Sequence, residues 1–119
     1  MSRKSLQVIT RTAFMNNEFL NEPEFQELIS DYLDYLKSSL SSLKENLGSK
    51  NFKKIRKFGH NLKGTGTGYG YAEFTKIGKT IEQAAIDEKS DSLTELLDQF
   101  DAMVNEAHEQ FHSKQINLI

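Results

Sequence analysis

The chain has 119 residues, 37% of them hydrophobic and 27% charged, with a formal net charge of −2, which suits one globular domain rather than a disordered or membrane-embedded chain. It contains no cysteine, so disulfides, thiolate nucleophiles and cysteine-ligated metals are excluded together. No apolar run reaches the length of a membrane span or a signal-peptide core, and the expectation is a cytoplasmic protein without direct membrane insertion.

Residues 1–20 are the least regular part, although Leu6, Ile9, Phe14, Phe19 and Leu20 supply apolar surface for a short helix or segment packed across one end of the fold. Phe25, Leu28, Ile29, Tyr32, Leu36, Leu40, Leu43 and Leu47 then follow the three-and-four spacing of one buried helix face. Pro23 stands where a first turn tolerates it and Gly48 is the expected stop. A second helix is predicted from about Asn51 through Phe52, Ile55, Gly59 and Leu62, ended by the run G-T-G-T-G-Y-G from Gly64 to Gly70. A third carries Phe74, Ile77, Gly78, Ile81 and Ala85. A fourth carries Leu93, Leu96, Leu97, Phe100, Val104, Ala107 and Phe111, started by a Ser or Asp near 90 to 92. Strand signals are missing, and the loops between these amphipathic helices are short. The predicted class is therefore all-α, an antiparallel up-and-down four-helix bundle over residues 21–113, with the 1–20 segment across one end and a frayed tail at 114–119.

Charge departs from the average in the second helix. Lys53, Lys54, Arg56, Lys57 and Lys63 lie between Asn51 and Gly64 with no acidic residue among them, so this segment is +5 and the rest of the −2 chain carries −7. Such a local basic patch attracts an anionic partner. His60 is at its centre: Lys53, Arg56 and Lys57 stand seven, four and three residues before it, and Lys63, Gly64 and Thr67 three, four and seven after. Helical geometry puts all of them on one face, with His60 at the edge of the buried stripe and one ring nitrogen open to solvent. An accessible neutral imidazole, with its ordinary pKa of about 6.5, is a competent nucleophile near neutral pH without a separate base. Lys63 can meet phosphate oxygens as a mobile point charge, and Gly64 leaves the flank bare for another protein to approach.

His60-Asn61-Leu62-Lys63-Gly64 resembles the H-x-[LIKV]-K-G signature of the histidine-containing phosphotransfer family. The resemblance continues through Gly70, Phe74, Ile77, Gly78 and the pair Ile81-Glu82, a spacing that holds over 23 residues. It departs from the usual pattern at Gly59, where alanine is common, and at Gly66 and Gly68, where small residues such as serine or alanine are usual. Interior glycine costs roughly 1 kcal/mol relative to alanine, so the end of the second helix is expected to be softer than in relatives.

What the resemblance implies is a phosphorelay intermediate of two-component signalling. His60 would accept a phosphoryl group from a receiver-domain aspartate and pass it to another receiver. Lys63 would stabilise the phosphoryl group, Gly64 would give the receiver room to dock, and Gly70 would form the turn into the third helix. The docking surface would run from Lys53 to Gly70, with Arg56, Lys57 and Thr67 in it. Partners would be receiver domains of response regulators or hybrid kinases, met by a monomer. The chain would bind no cofactor or metal, and Mg²⁺ would sit on the receiver. No ATP-binding element of a kinase is present, so the module is a phosphotransfer protein rather than a self-sufficient enzyme.

Other readings are weaker. A non-relaying interaction domain of the same fold is the alternative. Nucleic-acid binding fits poorly with the negative net charge and with Phe52 and Phe58 at core-like spacing. The glycine run matches neither a dinucleotide nor a P-loop pattern. His108-Glu109-Gln110-Phe111-His112 satisfies the zinc-protease string H-E-x-x-H, but no third ligand follows it, and these residues read as the solvated flank of the fourth helix. Tyr32, Tyr35, Tyr69 and Tyr71 read as core and core-edge residues, or as part of a partner interface.

Overall fold

The computed structural model describes residues 22–118, with side chains through 113; the expected segment over residues 1–20 lies outside the described residues. Among the described residues there are four helices: α1 Pro23–Gly48, α2 Phe52–Thr65, α3 Ala72–Ile86 and α4 Ser90–Leu118, with a 3-10 turn at Thr67–Tyr69 before α3. There is no strand among the described residues, and no helix among them is long and apolar enough to cross a membrane. The architecture is the expected all-α four-helix bundle. The helical backbone of α4 continues through the predicted tail to Leu118, because neither glycine nor proline follows Ser90 to stop it.

α1 begins with Pro23 in its first turn, where the missing N–H has no intrahelical partner to lose. It ends at Gly48, as expected, but the left-handed residue comes two positions later. Gly48 is the last helical residue, and the reversal falls on Lys50 at φ 58. There the Asn51 N–H donates to the Asn46 carbonyl at 2.7 Å and the Lys50 N–H to Leu47 at 3.0 Å. α3 ends the same way at Glu88, φ 53, with the Lys89 N–H on Ala84 and the Glu88 N–H on Ala85. Both are Schellman ends with a side chain where glycine is usual.

The core runs the length of the bundle through Leu33, Leu36, Ile55, Leu62, Ile81, Leu93, Leu97, Phe100 and Val104, all nearly inaccessible. One correction concerns α1: Leu28, expected in the stripe, is 51% exposed, while Leu33 is fully buried. The seam steps by four from Phe25 to Ile29 and again to Leu33, which carries it away from Leu28. Lys44 on Asp101 at 3.2 Å and Asp34 on His108 at 3.0 Å fix α1 and α4 antiparallel. At one end the aromatic rings stack: Tyr32 on Tyr69 with centroids 4.0 Å apart, and Tyr71 on Phe74 at 4.8 Å. Phe74 then meets Phe100 edge-on. The Tyr32 hydroxyl is hydrogen-bonded to Thr65 Oγ1 at 2.9 Å, and burial pushes its pKa up to about 12. Tyr35 faces outward, 54% exposed.

Candidate functional site

α2 and α3 meet backbone to backbone. A Cβ placed on Gly59 would lie 2.7 Å from the Glu82 nitrogen, and one on Gly78 would lie 2.5 Å from the Lys63 nitrogen, closer than real Cβ contacts come. Each helix therefore presents a glycine to the other at the level of His60. Gly59 is the residue that lets α3 approach, and this approach brings Glu82 within reach of His60 and Lys63.

Glu82 bridges the two. Its Oε2 is 2.9 Å from His60 Nδ1, and its Oε1 accepts a hydrogen bond from Lys63 Nζ at 2.7 Å. The hydrogen bond from Lys63, then that from His60, hold the Glu82 carboxyl below the usual carboxylate range. An ionised Glu82 has no proton to give, so the contact requires Nδ1–H of His60 as donor. In the neutral ring the lone pair is then on Nε2, which has no hydrogen-bond partner among the described residues. The His60 side chain is 64% exposed whereas Glu82 is 15% exposed. The arrangement is a covered carboxylate that fixes the tautomer and orientation of an exposed imidazole, with its free nitrogen outward.

Several basic residues of α2 gather beside His60. Lys53, Lys54, Arg56 and Lys57 line one open groove with Asn51, His60 and Glu82. Lys63 is at the same site but is drawn onto Glu82. Around Gly64 a Cβ would meet nothing within 4 Å, so that flank is bare. Gly70 has φ 92 and forms the turn into α3, in a conformation that glycine adopts without strain. Thr67 stands apart from the others. α2 stops at Thr65, so the seven-residue relation to His60 is broken, and the Thr67 N–H and hydroxyl both donate to Thr75 Oγ1, at 2.8 and 2.9 Å. On the other side of α2 lies a more apolar groove lined by Tyr32, Tyr35, Leu36, Phe58, Asn61, Leu62, Thr65 and Tyr69.

The residue of this site that sequence reasoning passed over is Glu82. Its place in the Ile81-Glu82 pair is visible, but its partnership with a histidine 22 positions earlier depends on the packing of two helices, which no spacing within one helix encodes. No three His, Cys, Asp or Glu side chains among the described residues stand in metal-binding geometry. Comparison of the chain with protein-family models, curated proteins and solved structures finds no match.

Proposed function

We propose that the chain is a histidine phosphotransfer module that takes a phosphoryl group onto His60 Nε2 from a receiver aspartyl phosphate and hands it to a second receiver. The observation that carries this reading is the Glu82–His60 pair: Nδ1 is held as a donor and Nε2 is left as a free, outward nucleophile. In the transfer the Nε2 lone pair forms the new N–P bond while the aspartyl O–P bond breaks and the carboxylate leaves. The ring proton remains on Nδ1, and Glu82 offsets the positive charge that develops on the imidazole. Lys63 uses one donor on Glu82 and has two left for the phosphoryl oxygens.

The receiver supplies Mg²⁺ and most of the electrostatic stabilisation. The basic groove of Lys53, Arg56 and Lys57 supports docking of an acidic surface, the bare flank at Gly64 gives close approach, and exposed Tyr35 beside Asn61 offers an aromatic contact. The experiment is incubation with a phosphorylated receiver domain and Mg²⁺, followed by intact-mass analysis under conditions that preserve phosphohistidine. An acid-labile phosphoryl adduct is expected on the wild type and not on His60→Gln. A folded wild type that accepts nothing from a broad panel of receivers would leave the alternative, a non-relaying interaction domain.

A further inference from the structure

The basic groove beside His60 holds more positive charge than its surroundings neutralise. Lys53, Lys54, Arg56 and Lys57 are all exposed and all line it. None of them forms an ion pair among the described residues, whereas Lys63 is held on Glu82 and Lys44 on Asp101. Arg56 and Lys57 each stand one turn after Lys53, so both repel it. The four also occupy the first turns of α2, where the helix end is itself partly positive and the first turn has no acidic residue to offset it. An anion seated among them relieves both effects at once.

Shape narrows the kind of anion. The groove has a volume of about 660 Å³, within the range of small-ligand sites, and α2 rises roughly 10 Å from Lys53 to His60 at 1.5 Å per residue. Cations follow one another along that length, which suits a short chain of phosphates better than a single one. No phenyl, phenol or indole ring lines the groove, so it offers no platform for the stacked bases of a single strand. A long polyanion or an anionic membrane would also run onto the rest of the chain, which carries −7 against the +5 of residues 51–64.

We propose that this groove binds a linear oligophosphate, the triphosphate chain of a nucleotide or of free inorganic polyphosphate, and that the bound anion competes with a receiver for His60. The binding stands on the groove alone. The competition rests on the phosphotransfer reading, because the receiver would dock on the same cations.

The test is calorimetric titration of the full chain with sodium tripolyphosphate at constant ionic strength, since salt screens exposed charges. Orthophosphate, ATP, AMP and a single-stranded oligonucleotide are the comparisons. One tripolyphosphate per chain is expected, with orthophosphate and AMP weaker by about tenfold or more. ATP binding as tightly as tripolyphosphate assigns the site to a nucleotide's phosphates; binding of tripolyphosphate alone assigns it to the inorganic chain. Lys53→Gln combined with Lys57→Gln should weaken binding about tenfold or more. Lys37→Gln, exposed on α1 and outside the groove, should leave it unchanged. In transfer from a phosphorylated receiver at fixed free Mg²⁺, tripolyphosphate at about ten times its Kd should lower kcat/KM roughly tenfold by mass action. The anion should slow the double variant far less, which separates an occupied groove from loss of Mg²⁺ to the anion. No saturable tripolyphosphate binding, an affinity unchanged in the double variant, an oligonucleotide that binds more tightly, or a transfer rate indifferent to the bound anion overturns the proposal. A chain that binds tripolyphosphate through Lys53 and Lys57 but accepts no phosphoryl group from any receiver upholds the oligophosphate site and overturns the phosphotransfer reading, with the competition that rests on it.

Discussion

Whether Glu82 is ionised decides which nitrogen of His60 is free, so in the proposed transfer the chemistry would rest on a residue that does not itself react. Glu82→Gln keeps the shape of the side chain but removes the charge that opposes a developing imidazolium. The transfer rate should fall on the order of 10²-fold, with the receiver KM little changed, as single-turnover kinetics would show. A drop in affinity with an unaltered transfer step would make Glu82 a docking residue instead. The same group links stability to pH. Its folded-state pKa is depressed, so its contribution is present above the unfolded value of about 4.3 and is lost as pH falls through the folded value. Acid titrations of wild type and Glu82→Gln should therefore diverge above that window and converge below it. Of this site, His60, Lys63 and the basic residues were legible because they repeat along a single helix. Glu82 was not, because its relation to them is made across two.

At the scale of elements, the glycines of α2 and α3 have different tasks. Gly59 and Gly78 hold the helices together, so Gly78→Ala forces the backbones apart. It should cost about 1–3 kcal/mol in chemical denaturation and should also pull Glu82 from His60. Gly64 has open space around it and none of this constraint. Spacing alone could not separate these cases, since an interior glycine reads as a weakness until the neighbouring backbone is placed against it. The helix ends teach a related lesson. Gly48 reads as the stop for α1, yet Lys50 takes the left-handed conformation, as Glu88 does after α3. An L side chain there costs about 1–2 kcal/mol. After allowing for the greater chain entropy of glycine, Lys50→Gly and Glu88→Gly should each stabilise the fold by about 0.5–1 kcal/mol, seen as a rise in denaturation midpoint at constant slope.

For the molecule as a whole, the separation of charge predicts how association depends on salt. A basic groove beside His60 on a chain of net charge −2 steers an acidic partner over distances comparable to the Debye length, about 8 Å at physiological ionic strength. The kcat/KM for phosphotransfer from a receiver should fall about tenfold or more between low and high salt, and less steeply in Lys53→Glu or Arg56→Glu. A rate indifferent to salt would remove the groove from docking. Residue spacing by itself determined the four helices, nearly all of the core and the exposed histidine among cations, because amphipathic periodicity is a local property that burial only has to satisfy. Tertiary structure decided the rest: Leu33 buried in place of Leu28, the two glycines that set helix separation, and the carboxylate that orients His60. Each of these depends on the distance and rotation between helices, and those are set by side chains meeting from separate parts of the chain.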